Sequence, residues 1–211
     1  LAIDGVLYFT SPSGSFAVDA ATCEERWRVT HSVPKGEGVI SANRGFAYLD
    51  GKLYRGTMEG HVLALSAEDG RTVWDARIPD AGPGVTIPMA PIAADGKVFV
   101  GNAGGDRANV RGHVYAYDAQ TGKLLWRFEV IPDTPEIRAT WKMPQGNPLS
   151  GGGVWVSLSY DEETGVVYAP TGNAAPDFDA ELREGDNLYV NSIIAIDGET
   201  GKRITHNQVV K

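Results

Sequence analysis

The sequence predicts an all-β fold, a β-propeller of four-stranded antiparallel blades with tryptophan-docking repeats, of which this chain supplies about four blades. A motif that ends in tryptophan recurs along the 211 residues, and Asp-Gly pairs separate short apolar runs. Helical periodicity is not evident anywhere in the sequence. Repeats of about 40 to 50 residues with a tryptophan signature are typical of propeller blades.

The recurring motif is clearest in AYDAQTGKLLW, which ends at Trp126. More divergent copies end at Trp27 and Trp74, so that the three tryptophans are spaced 47 and 52 residues apart, and a fourth copy has Thr205 at the tryptophan position. We expect the Asp and Thr-Gly residues of the motif to form the turn between the third and fourth strands of each blade. The tryptophan is predicted to be a large apolar plug between neighbouring blades.

Each unit divides into four short strands, A to D. In the third unit these are MAPIAA, KVFVGN, HVYAYD and KLLWRFEV, and Asp-Gly pairs at 4–5, 50–51 and 95–96 supply tight A–B turns. The predicted units of a single partial propeller domain, residues 1–211, are about 1–34, 45–80, 88–131 and 154–211. Four blades leave free sheet edges, which propellers avoid by closing a ring. We therefore expect the chain to be part of a larger propeller.

Composition narrows the possible functions. The formal net charge of −8 argues against nucleic-acid binding, because phosphate contacts need clustered Lys and Arg. No apolar run approaches the roughly 20 residues that span a bilayer, so no transmembrane segment is predicted in this chain. Cys23 is the single cysteine and is interpreted as a turn residue without chemistry, and the four histidines show no paired metal spacing.

Two long B–C loops distinguish the third and fourth units from the first two. AGGDRANVRG and AAPDFDAELREGDNLYVN each follow a Gly-Asn pair, whereas the first two units have SPSG and MEG. All B–C loops open on one face of a propeller, and long polar loops on a rigid scaffold commonly carry function. Asp106, Asp177 and Asp179, with the Asn residues, offer oxygens that suit calcium. The same residue types are also ordinary turn formers, which is the commoner case.

Three further features on this face each have two interpretations. Gly104 and Gly105 either let a flat ligand approach the backbone or form a tight turn. Arg44 either binds a carboxylate with both arms of its guanidinium or is a solvated loop residue. Trp155 is not a repeat tryptophan, and it is either a stacking platform for an aromatic ligand or an extra plug between blades.

Together, the segments GNAGGDRANVRGHVYAYDAQTGKLLWRF, YDEETGVVYAPTGNAAPDF and GDNLYVNSIIAID resemble the pyrroloquinoline quinone (PQQ)-dependent alcohol dehydrogenases. These are periplasmic quinoproteins with an eight-bladed propeller, and the resemblance covers essentially all of the chain and places it in the N-terminal half. It implies PQQ- and metal-dependent oxidation of a small alcohol, with Ca²⁺ or a lanthanide as the metal. Electrons are then expected to pass to cytochrome c or a membrane quinone, and the general base is expected beyond Lys211.

Two other interpretations remain beside this one. The first is a non-enzymatic, PQQ-like propeller scaffold for protein–protein interaction. The second is a family member that binds the metal but not the quinone. Fold similarity by itself does not distinguish them from the dehydrogenase.

The resemblance also implies roles for individual residues. Asp106 and Asn173 are expected to be metal ligands, with Asp106 also beside the quinone. Arg44 is expected to contact the cofactor, the backbone of Gly104 and Gly105 to bind its carboxylates, and Trp155 to stack on its rings.

Several positions depart from the family pattern. Asp106 stands where the family has Glu, Pro88 where it has Thr, Ala103 where Ser is frequent, and Gly153 where Thr is found. A vicinal Cys-Cys pair present in many members aligns with Gly38-Val39, so that disulfide is absent.

Overall fold

Among the residues that the structure describes, the strands form four antiparallel sheets of four strands each, and each sheet uses strands that are consecutive in the chain. The computed structural model describes residues 1–33, 41–106, 109–144 and 146–210, so Gly38-Val39 and Lys211 lie outside the described residues. The strands are β1 Ala2–Ile3, β2 Val6–Ser11, β3 Gly14–Asp19, β4 Glu25–Thr30, β5 Ala47–Leu49, β6 Lys52–Gly56, β7 His61–Ser66, β8 Thr72–Arg77, β9 Ile92–Ala94, β10 Lys97–Gly101, β11 His113–Asp118, β12 Leu124–Glu129, β13 Ser159–Asp161, β14 Val166–Pro170, β15 Ser192–Asp197 and β16 Arg203–Gln208. The predicted four-stranded blades are confirmed.

The Asp-Gly pairs form the first hairpin turn of three sheets. In each pair both residues have positive φ, 47° to 50° for the Asp and 69° to 77° for the Gly. A type I′ turn needs this conformation at both central positions, and its twist matches that of the flanking strands. The sequence Asp-Gly therefore sets the register of strands A and B.

The turn between strands C and D has the same shape in the third and fourth sheets because of hydrogen bonds to its aspartate. In the third sheet, Asp118 Oδ1 accepts hydrogen bonds from the backbone nitrogens of Gln120 and Thr121 at 3.1 and 2.7 Å. The Thr121 hydroxyl donates to the same oxygen at 2.7 Å, and this bond lowers the pKa of Asp118. Asp197 makes the same set of bonds in the fourth sheet. The motif residues thus build the turn as predicted.

Neighbouring sheets are joined by the repeat tryptophans. Trp27, Trp74 and Trp126 are each 9% exposed, and each donates from Nε1, at 3.0 Å, to a backbone carbonyl in the C–D turn of the next sheet. The indole lies over the glycine of that turn, and a Cβ atom added at Gly122 would lie 2.7 Å from Cδ2 of Trp74. The predicted inter-blade plug is confirmed, and the Gly of the motif is needed because its bare Cα accommodates the ring.

In the second and third sheets, strands B and C are buried on both faces, which explains their continuous apolar runs. Leu53 and Tyr54 follow one another on β6 and are both 0% exposed. Leu53 packs in a core shared with the first sheet, whereas Tyr54 packs in the larger core that continues through the third and fourth sheets.

Arg55 is a buried charge between the first two sheets. It is 0% exposed, and its Nη1 donates to Gly14 O at 2.7 Å and to Ser15 Oγ at 2.9 Å. The Ser15 hydroxyl also forms a hydrogen bond with Nε2 of His31, at 2.7 Å. Burial lowers the pKa of His31 to about 4, with the Arg55 charge as a second cause. His31 is therefore neutral in the folded protein at neutral pH.

Two short helices lie in the long connections, where none was predicted. The α-helix α1, Pro135–Ala139, is capped by Thr134, and a 3-10 helix spans Ala180–Arg183. Single turns of this length show no periodicity that a sequence could reveal. Trp141, which the sequence did not place, is 0% exposed and donates to Leu188 O at 2.9 Å, so it ties the α1 connection to the β14–β15 loop. None of the helices in the described ranges is long and apolar enough to span a bilayer.

We expect Gly122→Ala to destabilise the intact protein more than Gly96→Ala does. Both glycines have φ near +70°, but only at Gly122 does a Cβ atom meet an indole, since nothing lies within 4 Å of one at Gly96. The excess should be about 1–3 kcal/mol in the free energy of unfolding, measured by chemical denaturation. Equal effects in the two variants would show that indole docking does not require glycine.

We expect His31→Gln to flatten the dependence of stability on pH between about 6.5 and 4. The unfolded chain takes up a proton at His31 below its ordinary pKa, whereas the folded protein resists protonation down to about 4. Stability from the neutral ring is therefore fully present above the unfolded pKa and is lost as the pH falls towards the folded value. Since the ring is only half-buried, the difference at pH 5 should be up to about 1 kcal/mol. Parallel melting curves of wild type and variant across this range would contradict the assignment.

Candidate functional site

A cavity of about 580 Å³ opens where the long B–C loops leave the sheets. Its wall combines residues that follow β10 and β14 with the connection at residues 82–86 that leads to β9. Elements from three sheets therefore meet in one cavity, on the face predicted from loop length.

Five of the six residues to which the resemblance assigns a role line this cavity: Arg44, Gly104, Asp106, Trp155 and Asn173. Gly105 is the exception, because it is buried against a neighbouring loop, where an added Cβ atom would lie 2.9 Å from Gly153 N. Among the departures from the family pattern, Pro88 and Ala103 also line the cavity, and Gly153 does not.

In the segment Asn43-Arg44-Gly45, hydrogen bonds of the neighbouring residues hold the backbone so that the Arg44 side chain lies at the cavity. Asn43 Nδ2 donates to Gly56 O at 2.9 Å, and Asn43 Oδ1 accepts from Gly45 N at 3.2 Å. Gly45 has φ +119°, a conformation that favours glycine. Arg44 N donates to Pro88 O at 2.9 Å, which leaves the guanidinium exposed towards the cavity.

Trp155 offers an aromatic surface to the cavity. It is 43% exposed, in contrast to the 9% of each repeat tryptophan, so it is not buried between blades as they are. The guanidinium carbon of Arg44 lies 5.3 Å from the centre of its ring, within the range of a cation–π contact. The arrangement places a positive charge at one side of an open indole face.

The two Gly-Asn pairs are not equivalent. Asn102 is 0% exposed, accepts from His113 N at 2.7 Å and donates to Arg111 O at 3.0 Å, so its side chain is used within its own loop. Asn173 is exposed at the cavity, and its backbone carbonyl accepts from Gly152 N at 2.8 Å. The amide of Asn173, but not that of Asn102, is available to a ligand.

Close backbone contacts hold the three loops together. Gly104 has φ +110°, and a Cβ atom there would collide with Gly84 O. Gly151 pairs in isolated bridges with Arg111 and with Ala174, so it joins the loops of the third and fourth sheets. These glycines are needed because the backbones approach too closely for a side chain.

The donor set at the cavity fits a hard cation beside a flat anionic ligand. Asp106 supplies a carboxylate and Asn173 an amide oxygen, and both side chains are exposed. Calcium accepts such oxygens, while Arg44 suits a carboxylate and Trp155 a planar ring. The described part of the chain contains no cluster of three or more His, Cys, Asp or Glu residues suited to a metal ion.

Asp177 is a cavity residue that the resemblance did not single out. It lines the wall, and its Oδ1 atom is buried without a hydrogen-bond partner among the described residues. The sequence analysis named Asp177 only as one of three loop aspartates with oxygens that suit calcium, because turn-forming and ligand-facing aspartates look alike. Asp179, on the same loop, does not line the cavity.

His113 borders a smaller polar cavity of about 340 Å³ and does not belong to this site. It is 5% exposed, its Nδ1 lies 3.1 Å from Arg111 O, and its Nε2 lies 3.8 Å from Asp80 Oδ1. Burial lowers the pKa of His113 to about 4, against the opposing influence of Asp80. The ring is neutral at physiological pH, as expected of a structural histidine.

The family model for PQQ proteins described as "Glucose/ethanol/alcohol dehydrogenase, beta-propeller domain" matches residues 1–211. The chain is 43% identical over 226 residues to quinohemoprotein alcohol dehydrogenase ADH IIB of Pseudomonas putida, which covers 98% of this chain and 32% of that protein. It therefore spans about a third of the length of this curated relative.

The chain is also similar in structure to solved dehydrogenases. The chain is 32% identical to quinohemoprotein alcohol dehydrogenase from Comamonas testosteroni, with a TM-score of 0.85 over 100% of this chain and 34% of that one. A europium-containing methanol dehydrogenase is 28% identical, with a TM-score of 0.84 over 99% of this chain and 40% of that one. The chain forms about four blades of a larger propeller, and it belongs to the family of PQQ-dependent glucose, ethanol and alcohol dehydrogenases.

Proposed function

We propose that the protein containing this chain oxidises an alcohol with PQQ and a bound metal ion. The observation that carries the proposal is the meeting of Arg44, Asp106, Trp155 and Asn173 in one cavity. PQQ supplies the two-electron oxidation of the alcohol when it is bound, and the metal ion acts as a Lewis acid on its carbonyl group. The names of the similar proteins support this assignment.

In this proposal, each of these cavity residues binds either the metal ion or the cofactor. Asp106 and Asn173 hold the metal ion through oxygens, as Ca²⁺ or a lanthanide requires. Arg44 binds a cofactor carboxylate, and its charge next to Trp155 favours an electron-rich ring on the indole. The backbone at Gly104 positions the cofactor edge, and the close approach of Gly105 to Gly153 holds this loop in place.

The residues that depart from the family pattern change the contacts available to the metal ion and the cofactor. Asp106 is one methylene shorter than Glu, so its carboxylate would reach less far towards a metal ion from the loop between β10 and β11. Pro88 and Ala103 line the cavity without a hydroxyl group, so the cofactor receives fewer hydrogen bonds there. We expect Arg44 and the metal to supply a larger share of its binding.

We also infer that electrons leave for cytochrome c or a membrane quinone, and that the reaction takes place in the periplasm. A similar protein named a quinohemoprotein supports a haem group as the next carrier. The general base that removes the proton of the substrate hydroxyl is expected outside this chain.

We expect Asp106→Ala and Asn173→Ala to weaken the calcium-dependent binding of PQQ by at least about tenfold. The intact apo-protein would be titrated with PQQ in the presence of calcium or a chelator, while tryptophan fluorescence is followed. Asp179→Ala is the matched control, because Asp179 is exposed on the same loop as Asn173 and makes no side-chain cap bond.

Unchanged affinity in both variants would remove these residues from the metal site. A wild-type protein that shows no quenching with any metal would instead favour the propeller scaffold, and partner proteins would then be sought.

We expect Trp155→Leu to reduce both the quenching and the affinity for PQQ, the affinity by about threefold to tenfold. Of the five tryptophans, all of which lie in the described ranges, Trp155 alone lines the cavity. Trp155→Phe keeps an aromatic face and should retain most of the affinity while losing the same fluorescence signal. Full quenching in Trp155→Leu would show that the quinone does not lie on this indole.

A further inference from the structure

Asp177, at the cavity wall, has a buried carboxylate oxygen for which the described residues supply no hydrogen-bond partner. It lies on the β14–β15 loop, seven residues after β14 ends at Pro170. Its buried Oδ1 atom has no hydrogen-bond partner in the part of the chain that the structure describes. Removing a carboxylate oxygen from water without a partner is costly, so a buried group of this kind calls for an explanation.

The loop around Asp177 is held in place without the help of its carboxylate. Arg183 Nε donates to Pro176 O at 3.0 Å, and Arg183 Nη2 donates to Asp177 O at 3.1 Å. Arg183 Nη1 donates to Asn187 Oδ1 at 3.1 Å, and Asn187 Nδ2 donates back to Arg183 O at 2.9 Å. Because the guanidinium fixes the backbone, the position of Asp177 is set before any ligand binds.

The two arginines at the cavity are engaged in other contacts. The Arg44 guanidinium lies over the Trp155 ring, and Arg77 Nη2 donates to Ala81 O at 3.4 Å. Neither contact involves the Asp177 carboxylate. Arg183, on the same loop, donates to the carbonyls of Pro176 and Asp177 and to Asn187 Oδ1, and not to the carboxylate. The hydrogen-bond donor for Asp177 Oδ1 is therefore expected to arrive with a ligand.

We propose that Asp177 is a specificity-determining residue that accepts a hydrogen bond from the substrate, which is an alcohol with a second donor group. The inference rests on the proposed function. An ionised carboxylate accepts hydrogen bonds and cannot donate them. A hydrogen bond from a cationic donor to a carboxylate is about twice as strong as one between two neutral groups. An amino alcohol is thus the best match, and a diol the next.

The burial of Asp177 favours a substrate over the metal ion as its partner, because Asp177 is partly buried whereas Asp106 and Asn173, the proposed metal ligands, are exposed. Asn173 lies three residues beyond the end of β14, whereas Asp177 lies four residues further along the loop. A plain alkanol has only its reacting hydroxyl and leaves the Asp177 oxygen without a partner.

The test compares three alcohols of equal chain length with the intact protein loaded with PQQ and Ca²⁺. The value of kcat/KM is measured for 4-amino-1-butanol, 1,4-butanediol and 1-butanol in wild type, Asp177→Asn and Asp179→Asn. Asparagine keeps the size of the side chain and removes its charge. We expect the ratio of 4-amino-1-butanol to 1-butanol to fall at least about tenfold in Asp177→Asn, and the diol ratio to fall less. Asp179→Asn, on the same loop, should leave both ratios unchanged.

A second readout does not depend on turnover. Butylammonium, which has no hydroxyl to oxidise, is titrated into the same proteins by calorimetry, and its affinity should fall in Asp177→Asn alone. If wild type oxidises none of the alcohols but binds butylammonium through Asp177, the proposed function fails and the role of Asp177 as an acceptor stands.

Two results would overturn the inference. One is an unchanged substrate ratio together with unchanged butylammonium affinity in Asp177→Asn. The other is an equal loss for all three alcohols together with weaker Ca²⁺ binding in a calorimetric titration, which would assign Asp177 to the metal site.

Discussion

The docking of each repeat tryptophan on the glycine of the next C–D turn is the contact on which the rest of the structure depends. A single indole buries apolar surface, donates one hydrogen bond to a backbone carbonyl, and lies where a side chain at the glycine would stand. Adjacent sheets are thereby fixed in distance and in rotation. Thr205 breaks the series at the fourth sheet, where it is exposed on β16 and cannot reach a neighbouring turn in the same way.

The cavity is a consequence of that spacing. Its residues come from three sheets, so its shape is defined only when the sheets hold constant relative positions. The glycines at 104, 151 and 172 lie where backbone meets backbone, and bonds such as Gly172 N to Gly153 O at 2.9 Å join the loops across sheet boundaries. Rigid docking at the C–D turns and close glycine contacts at the opposite ends of the sheets together make a preformed site.

The strands and the face that carries the cavity could be predicted from the sequence, because a turn is determined by the few residues that form it. Asp-Gly pairs and the Asp-x-x-Thr-Gly turn identify the strands, and long loops identify the face that carries the cavity. The different roles of Asn102 and Asn173 could not be predicted, since they depend on which peptide groups lie opposite each side chain. The location of Trp141 could not be predicted either, and Asp177 could be named as a candidate but not as a residue with an unpartnered oxygen. Their partners, or the lack of one, are set by loops distant in sequence.

The same polar residue types serve the scaffold in one place and face the cavity in another, and backbone contacts decide between the two. Arg55 is satisfied by the carbonyls of the first sheet, and Asn102 by its own loop, so neither has capacity left for a ligand. Arg44 and Asn173 use their backbone groups, not their side chains, to hold their loops. A loop that is anchored through its main chain, or through a neighbour such as Arg183, can place a charged side chain in a cavity without losing its shape. The role proposed for Asp177 fits this pattern, because Arg183 anchors the loop through the carbonyls of Pro176 and Asp177 and makes no bond to the carboxylate.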